Sequence, residues 1–367
     1  MLQIEKTYPR GDIYPIERRS HGLSPILFDI ETTGLSAASS IIYLIGAMEI
    51  KKDRLVFRQW FAEGPSDELK VLESFLNFLP DRACLVSFNG RGFDVPFISK
   101  RCKNYNIPCY LPQQPDIDLY RVLAPLKDYF GMNSRKLVSY EKLIGLDRED
   151  KYNGGELIEV YKEYVGKRKF APEEAERLKE MLLLHNEEDI CDMVPVTALL
   201  TYIDLLNADI ENISGVSVNN ENSEVIIGTG LCSDFPISFE KKLATKPGLP
   251  MINIETVGRC AKIHVPVFNG KLKHYFEDYK DYFYLPDEDT AIHKSIAESV
   301  DSSHRVQATK ATAYTWANGS FIPQYTNKIT PYFKCDINDM LSFIPVKSLN
   351  TDEQVLGYIK TLSNRIS

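Results

Sequence analysis

The chain has 367 residues, long enough for two domains of ordinary size. At 44% hydrophobic and 26% charged it resembles neither a disordered chain nor a membrane protein. Net charge is −8: residues after 205 carry 16 basic and 19 acidic side chains, those before carry 27 and 32, so neither part is a basic module. A nucleic-acid partner must therefore be argued from a local groove or from metal-bridged phosphate contacts.

Residues 1–24 are charged, carry Pro9, Gly11 and Pro15, show no apolar period and read as an N-terminal arm. From Pro25 the runs PILFDI, IIYLIGAMEI and RLVFRQWFA are spaced as three consecutive strands of a meander. The spacing predicts a helix over 65–79, capped by Ser66 or Asp67, with Leu69, Leu72, Phe75, Leu76 and Leu79 on one face. ACLVSFNG reads as a buried strand. An amphipathic stretch with Phe93, Phe97 and Ile98 follows, then a short strand around Ile117 and helices near 120–126 and 138–144. This order suits an α/β fold with a mixed sheet covered by helices. The longest helix begins at Ala171-Pro172 and reaches Pro195, where it should kink or restart toward Ile203.

Beyond Leu206 the stretch NADIENISGVSVNNENSE has no apolar period, which places a domain boundary there, with 25–206 as one domain and 207–367 as a smaller α+β domain. In the latter, alternating runs around Asn269-Gly270 and Asn318-Gly319 predict two hairpins, and helices are expected over 288–300 and 351–362. The aromatic run from Tyr275 to Tyr284, interleaved with lysines, reads as strand packing rather than a base-stacking surface. Seven scattered cysteines without a CxxC pair indicate neither a disulfide framework nor structural zinc, and point to a reducing cytosol. The N-terminus lacks the apolar run of a signal peptide and no stretch has the length of a membrane span, so the expected location is cytoplasmic, without a membrane partner.

Three segments carry candidate chemistry. Asp29 and Glu31 alternate onto one side of a strand end in DIETTG, where two carboxylates can share metal ions. Asp94 closes SFNGRGFD, in which Gly90 and Gly92 permit close backbone approach; it could equally cap the next helix. On the long helix, His185 and Asp189 interrupt an apolar stripe of Leu178, Leu182, Val196 and Leu200, while Glu187 and Glu188 read as solvated charges. A carboxylate on such a face needs a cation or ion-pair partner.

In this order the segments resemble the DEDD (DnaQ-like) 3′–5′ exonuclease superfamily, and more closely the YprB-type ribonuclease H-like group, over about 25–203. The resemblance implies a ribonuclease H-like mixed five-stranded sheet and two Mg²⁺ or Mn²⁺ ions held by Asp29, Glu31, Asp94 and Asp189, with His185 as general base. It further implies that Thr32, Thr33 and Leu35, with Asn89 and Phe93, line the pocket for the terminal nucleotide of a single-stranded DNA or RNA. Three residues separate His185 from Asp189, where histidine-type members usually have four, a spacing similar to that of the tyrosine-type branch. Arg91, Lys100 and Arg101 are the nearest basic candidates for phosphate, though such runs are more often solvated. The alternatives are a catalytically weak binding or scaffolding module and a structure-specific endonuclease.

Overall fold

The computed structural model describes residues 1–150, 152, 154–221 and 223–363, and the chain divides into two units, Met1–Leu200 and Thr201–Ser367. The first unit is built on a six-stranded mixed sheet. Its strands are β1 (Leu2–Pro9), β2 (Ser24–Thr32), β3 (Ile42–Ile50), β4 (Arg54–Phe61), β5 (Ala83–Ser87) and β6 (Asp116–Asp118), in spatial order β1-β4-β3-β2-β5-β6. β2, β3 and β4 form the antiparallel meander, while β5 and β6 add in parallel.

The sixth strand is β1, from the segment that reads as an arm. It pairs antiparallel with β4, from Leu2 opposite Phe61 to Pro9 opposite Arg54. None of its residues is buried and Gln3, Glu5, Lys6 and Thr7 are exposed, so it carries the charged composition of an edge strand instead of an apolar alternation.

Among the described residues, seven helices accompany the sheet: α1 (Glu68–Phe78), α2 (Asp94–Tyr105), α3 (Leu119–Val122), α4 (Leu126–Phe130), α5 (Leu137–Leu143), α6 (Gly154–Lys167) and α7 (Pro172–Val196). α6 is absent from the sequence reading. Its buried Leu157, Tyr161 and Tyr164 follow helical spacing, and Tyr161 stacks on Tyr43 of β3 with ring centroids 4.2 Å apart. α7 contains Pro195 and ends one residue later; a 3-10 turn over Thr197–Leu199 separates it from α8 (Leu200–Asn207).

A buried ion pair locks this unit. Glu68, with no exposed surface, accepts hydrogen bonds from the Ile42 N–H at 2.8 Å, Arg101 Nε at 2.7 Å and the Tyr105 hydroxyl at 2.8 Å. Arg101 thus joins β3, α1 and α2 from inside the fold, which removes it as a phosphate contact.

The second unit is strand-rich. Its strands are β7 (Ile213–Asn220), β8 (Glu224–Leu231), β9 (Phe239–Leu243), β10 (Ile252–Val257), β11 (Cys260–Pro266), β12 (Phe268–Tyr275), β13 (Tyr282–Leu285), β14 (Thr290–His293), β15 (Val306–Gln307), β16 (Tyr314–Gln324) and β17 (Ser342–Pro345). They form sheets ordered β7-β8-β11-β10-β9, β12-β16-β17 and β14-β13-β15. Helices here are α8, the one-turn α9 (Lys294–Ala297) and α10 (Asp352–Ser363), so most of the helix expected over 288–300 is instead β14 and its flanks.

Both hairpin expectations fail for one reason. Asn269-Gly270 lies inside β12 and Asn318-Gly319 inside β16, and the two strands pair with Gly270 directly opposite Gly319. Phe268 and Phe321 lie over the bare glycines, and a Cβ at Gly270 would come within 3.2 Å of the Phe268 ring. Aromatic cover of paired glycines explains the dipeptides as well as a turn does. Lys271 and Lys273 lie over the rings of Trp316 and Tyr314, each 3.9 Å from the centroid, so the interleaved lysines and aromatics satisfy one another. No described helix is long and apolar enough to cross a membrane.

Candidate active site

The site is assembled where β2, the start of α2 and the middle of α7 meet. Alternation along β2 sends Asp29 and Glu31 to the same side, and the pairing with β3 shifts register between Glu31 and Thr32, which bends the strand end. Asp29 stands opposite Gly46 of β3. A Cβ on Gly46 would lie 2.1 Å from Asn186 Oδ1 and 2.3 Å from Ile190 Cδ1, so only glycine lets α7 lie this close to the sheet. Asn186 has no exposed surface; its Nδ2 donates to Asp29 Oδ2 at 3.2 Å, and its Oδ1 accepts from Gln59 Nε2 at 3.1 Å. Gln59 Nε2 also donates to the Leu183 carbonyl at 2.8 Å. Asp29 therefore rests on a buried chain of two amides.

Asp94 is the first residue of α2. The turn before it holds Asn89 at φ +71°, with the Asn89 N–H donating to Asp118 Oδ1 at 2.9 Å. Parallel pairing of β2 with β5 runs only to Leu27, which leaves the Ile30 N–H free to donate to Asp94 Oδ1 at 3.1 Å. Asp94 is buried and faces β2; it does not serve as the cap of its own helix.

On α7, His185 and Asp189 stand one turn apart. His185 Nε2 lies 3.4 Å from Glu31 Oε1 and 3.4 Å from Asp189 Oδ2, and Nδ1 lies 2.5 Å from Asp150 Oδ2. Arg148 Nη1 reaches Asp189 Oδ1 at 2.5 Å, and its Nε reaches the fully buried Glu141 at 2.6 Å. Among the described residues, Glu31, His185 and Asp189 form the one group of three His, Cys, Asp or Glu side chains with ligand atoms all within 4.8 Å.

Glu187 and Glu188 are not the solvated charges their sequence position suggests. Glu187 accepts from Lys6 Nζ at 2.8 Å and from the Tyr8 hydroxyl, and Glu188 accepts the N–H groups of Glu149 and Asp150 at 2.9 and 3.0 Å. Their partners lie on β1 and on the segment after α5, to which the sequence reading assigns no regular structure. Asn186, Gln59, Arg148 and Asp150 also escape that reading. A glycine in the middle of a buried strand was the one available signal, pointing to close approach at Gly46.

Electrostatically the carboxylates of the cluster outnumber the Arg148 guanidinium and the His185 imidazole beside them. Burial, then Asp94, Asp189 and Glu31, push Asp29 well above the usual carboxylate range. Burial pushes Glu31 up to about 8, against the opposing His185, and Asp94 up to about 7, against its N–H bonds. Burial alone would lower His185, but Asp189, Glu31 and Asp150 outweigh it and the imidazole is raised. Carboxylate oxygens with one imidazole, desolvated and mutually repelling, fit hard divalent cations such as Mg²⁺ or Mn²⁺.

The expected pocket residues flank this cluster in sequence. Thr32 is buried and its hydroxyl donates to the Gly34 carbonyl at 2.9 Å; Thr33 Oγ1 accepts from the Ile41 N–H at 3.0 Å. Leu35 is 86% exposed, unusual for a large apolar side chain, and Asn89 is exposed too. Phe93 is half-buried against Phe97, centroids 5.4 Å apart. Arg91 Nε pairs with Asp116 at 2.7 Å, and Lys100 is exposed.

Residues 26–201 match the family described as the RNase_H superfamily. The chain is also 29% identical to the Bacillus subtilis (strain 168) protein named "Uncharacterized protein YprB", over 46% of this chain and 39% of that one. A 30% identity to the Mycoplasma genitalium protein named "DNA polymerase III PolC-type" covers 28% of this chain and 8% of that one. These residues form an RNase H-like domain of the DEDD exonuclease type. The chain spans well under half the length of either relative. Among solved structures, a family B DNA polymerase from the archaeon Pyrobaculum calidifontis is 15% identical over 72% of this chain and 36% of that chain, with a TM-score of 0.39.

Proposed function

We propose that the RNase H-like domain is a divalent-metal-dependent nuclease that removes nucleotides from the 3′ end of single-stranded DNA or RNA. The observation that carries this reading is the convergence of the Glu31, His185 and Asp189 ligand atoms within 4.8 Å, beside the half-buried Asp29 and the buried Asp94. Asp29, Glu31, Asp94 and Asp189 would hold two Mg²⁺ or Mn²⁺ ions. When bound, such ions neutralise phosphodiester charge and favour a nucleophilic water.

The chain's own groups do the rest. Asn186 fixes the Asp29 carboxylate and the Ile30 N–H fixes Asp94, so two ligand oxygens are oriented before substrate arrives. His185 presents Nε2 between Glu31 and Asp189, where it takes the proton of the attacking water. Leu35 offers an exposed apolar surface to the terminal base, with Thr32, Thr33, Asn89 and Phe93 completing the pocket.

Incubation of the full chain with 5′-labelled single strands and Mn²⁺ is expected to shorten them stepwise and release mononucleotides, with Asp29→Ala slower by at least about 100-fold. Equal rates for the two proteins, or no release in either ion, would sink the reading. Cleavage of a circular single strand would assign an endonuclease instead, and strand binding that survives a chelator without turnover would assign a binding module.

A further inference from the structure

We propose that Asp150 is a positioning residue that holds His185 in the tautomer with its proton on Nδ1, leaving the Nε2 lone pair toward the catalytic carboxylates. The proposal rests on the nuclease reading for its consequence and on geometry for its substance. His185 faces three carboxylates. Glu31 and Asp189 stand 3.4 Å from Nε2, whereas Asp150 Oδ2 stands 2.5 Å from Nδ1. A neutral imidazole carries one proton, and the shorter contact is where a hydrogen bond forms. A proton on Nε2 would point at oxygens wanted by metal ions and leave no acceptor for water, while a proton on Nδ1 does neither.

Asp150 is placed by construction. Its side chain is 4% exposed, and its Oδ1 accepts the Tyr152 N–H at 3.2 Å, so both carboxylate oxygens are used. Each residue of the 148–150 segment is fastened. Arg148 binds Asp189 and Glu141, while the Glu149 and Asp150 N–H groups donate to the two oxygens of Glu188. Because Glu188 and Asp189 follow His185 on one helix, α7 holds the segment that in turn orients its own histidine. The three-residue spacing between His185 and Asp189 suits this, since it puts both on the helix face that the segment covers.

The test uses the full chain, with Asp150→Ala and the near-isosteric Asp150→Asn. Nitrogen NMR of ¹⁵N-histidine-labelled, metal-free protein, at a pH high enough to leave the imidazole neutral and with the His185 signals identified by their loss in His185→Gln, is expected to show a protonated, hydrogen-bonded Nδ1 and an unprotonated Nε2. That signature should disappear in Asp150→Ala. With labelled strand and saturating Mn²⁺, kcat should fall about 10–100-fold in Asp150→Ala, with KM and Mn²⁺ affinity within about twofold of wild type. Asp150→Asn, whose amide oxygen can still accept from Nδ1, should lie between, and it decides the matter if the alanine variant does not fold. A wild-type spectrum with the proton on Nε2 overturns the proposal whether or not the protein cleaves strands. So does unchanged kcat in an Asp150 variant that has lost the Nδ1 signature, or a loss of activity that added Mn²⁺ restores. An inactive wild type with the Nδ1 signature intact would overturn the nuclease reading and leave the tautomer assignment standing.

Discussion

Asp29 depends on a residue that carries no chemistry. Gly46 stands across the strand from it, and the 2.1 Å clearance between a Cβ there and Asn186 Oδ1 makes the glycine a condition for the amide that holds the carboxylate. Gly46→Ala is expected to destabilise the protein by about 1–3 kcal/mol, the usual range for overpacking a core. Asn186→Ala removes the nearer of the two obstructions and leaves Ile190 Cδ1, so the double variant should regain part of that stability in urea denaturation. Its nuclease activity should stay low, because Asp29 Oδ2 has lost its donor. A double variant no more stable than Gly46→Ala alone would show that the two positions do not contend for the same space.

At the level of elements, the unit is tied together by charges the sequence presents as surface. Arg101 reads as one of a basic trio on an amphipathic stretch, yet it is 8% exposed and satisfies the fully buried Glu68, which also accepts from the β3 backbone. Removing one partner of such a pair leaves an uncompensated buried charge. Arg101→Met should therefore cost about 3–5 kcal/mol in denaturant unfolding, with little change in KM for labelled strand at a temperature where the variant stays folded. A rise in KM without loss of stability would return Arg101 to the role of phosphate contact. Four elements eluded the sequence patterns, for three reasons. β1 is an edge strand whose outward residues are polar, α6 carries its aromatics among charges, and the Asn-Gly pairs of β12 and β16 serve strand pairing instead of turning.

Over the whole molecule, the buried carboxylates make stability depend on pH and on metal. Glu31 and Asp94 have folded-state values of about 8 and about 7, above those of an unfolded chain, so the metal-free fold binds more protons than the unfolded state between roughly pH 4 and 8. Their contribution is most favourable at the acid end of that window and is lost as pH rises through 7 and 8. Metal-free protein should therefore lose thermal stability from these groups between pH 5.5 and 8, and Mn²⁺ should restore it with a larger shift at higher pH. Binding near pH 6 should release protons, seen as a calorimetric enthalpy that changes with buffer. An enthalpy independent of buffer, together with a metal-induced stabilisation that does not vary with pH, would show that the carboxylates are already ionised in the apo fold.

The sequence by itself determined the α/β order of the first unit, the meander, the long helix, and the candidacy of Asp29, Glu31, Asp94, His185 and Asp189. These are legible because strand alternation, helical spacing and a polar interruption of an apolar stripe are local patterns. Only the tertiary structure decided what stands behind them. Asp150 lies 35 residues before His185 and Asn186 lies 157 residues after Asp29. No periodicity links positions so far apart, and the segment around Arg148 carries the composition of any charged loop. Their partners are chosen by packing α7 across Gly46 onto the sheet, and that packing exists only once the chain has folded.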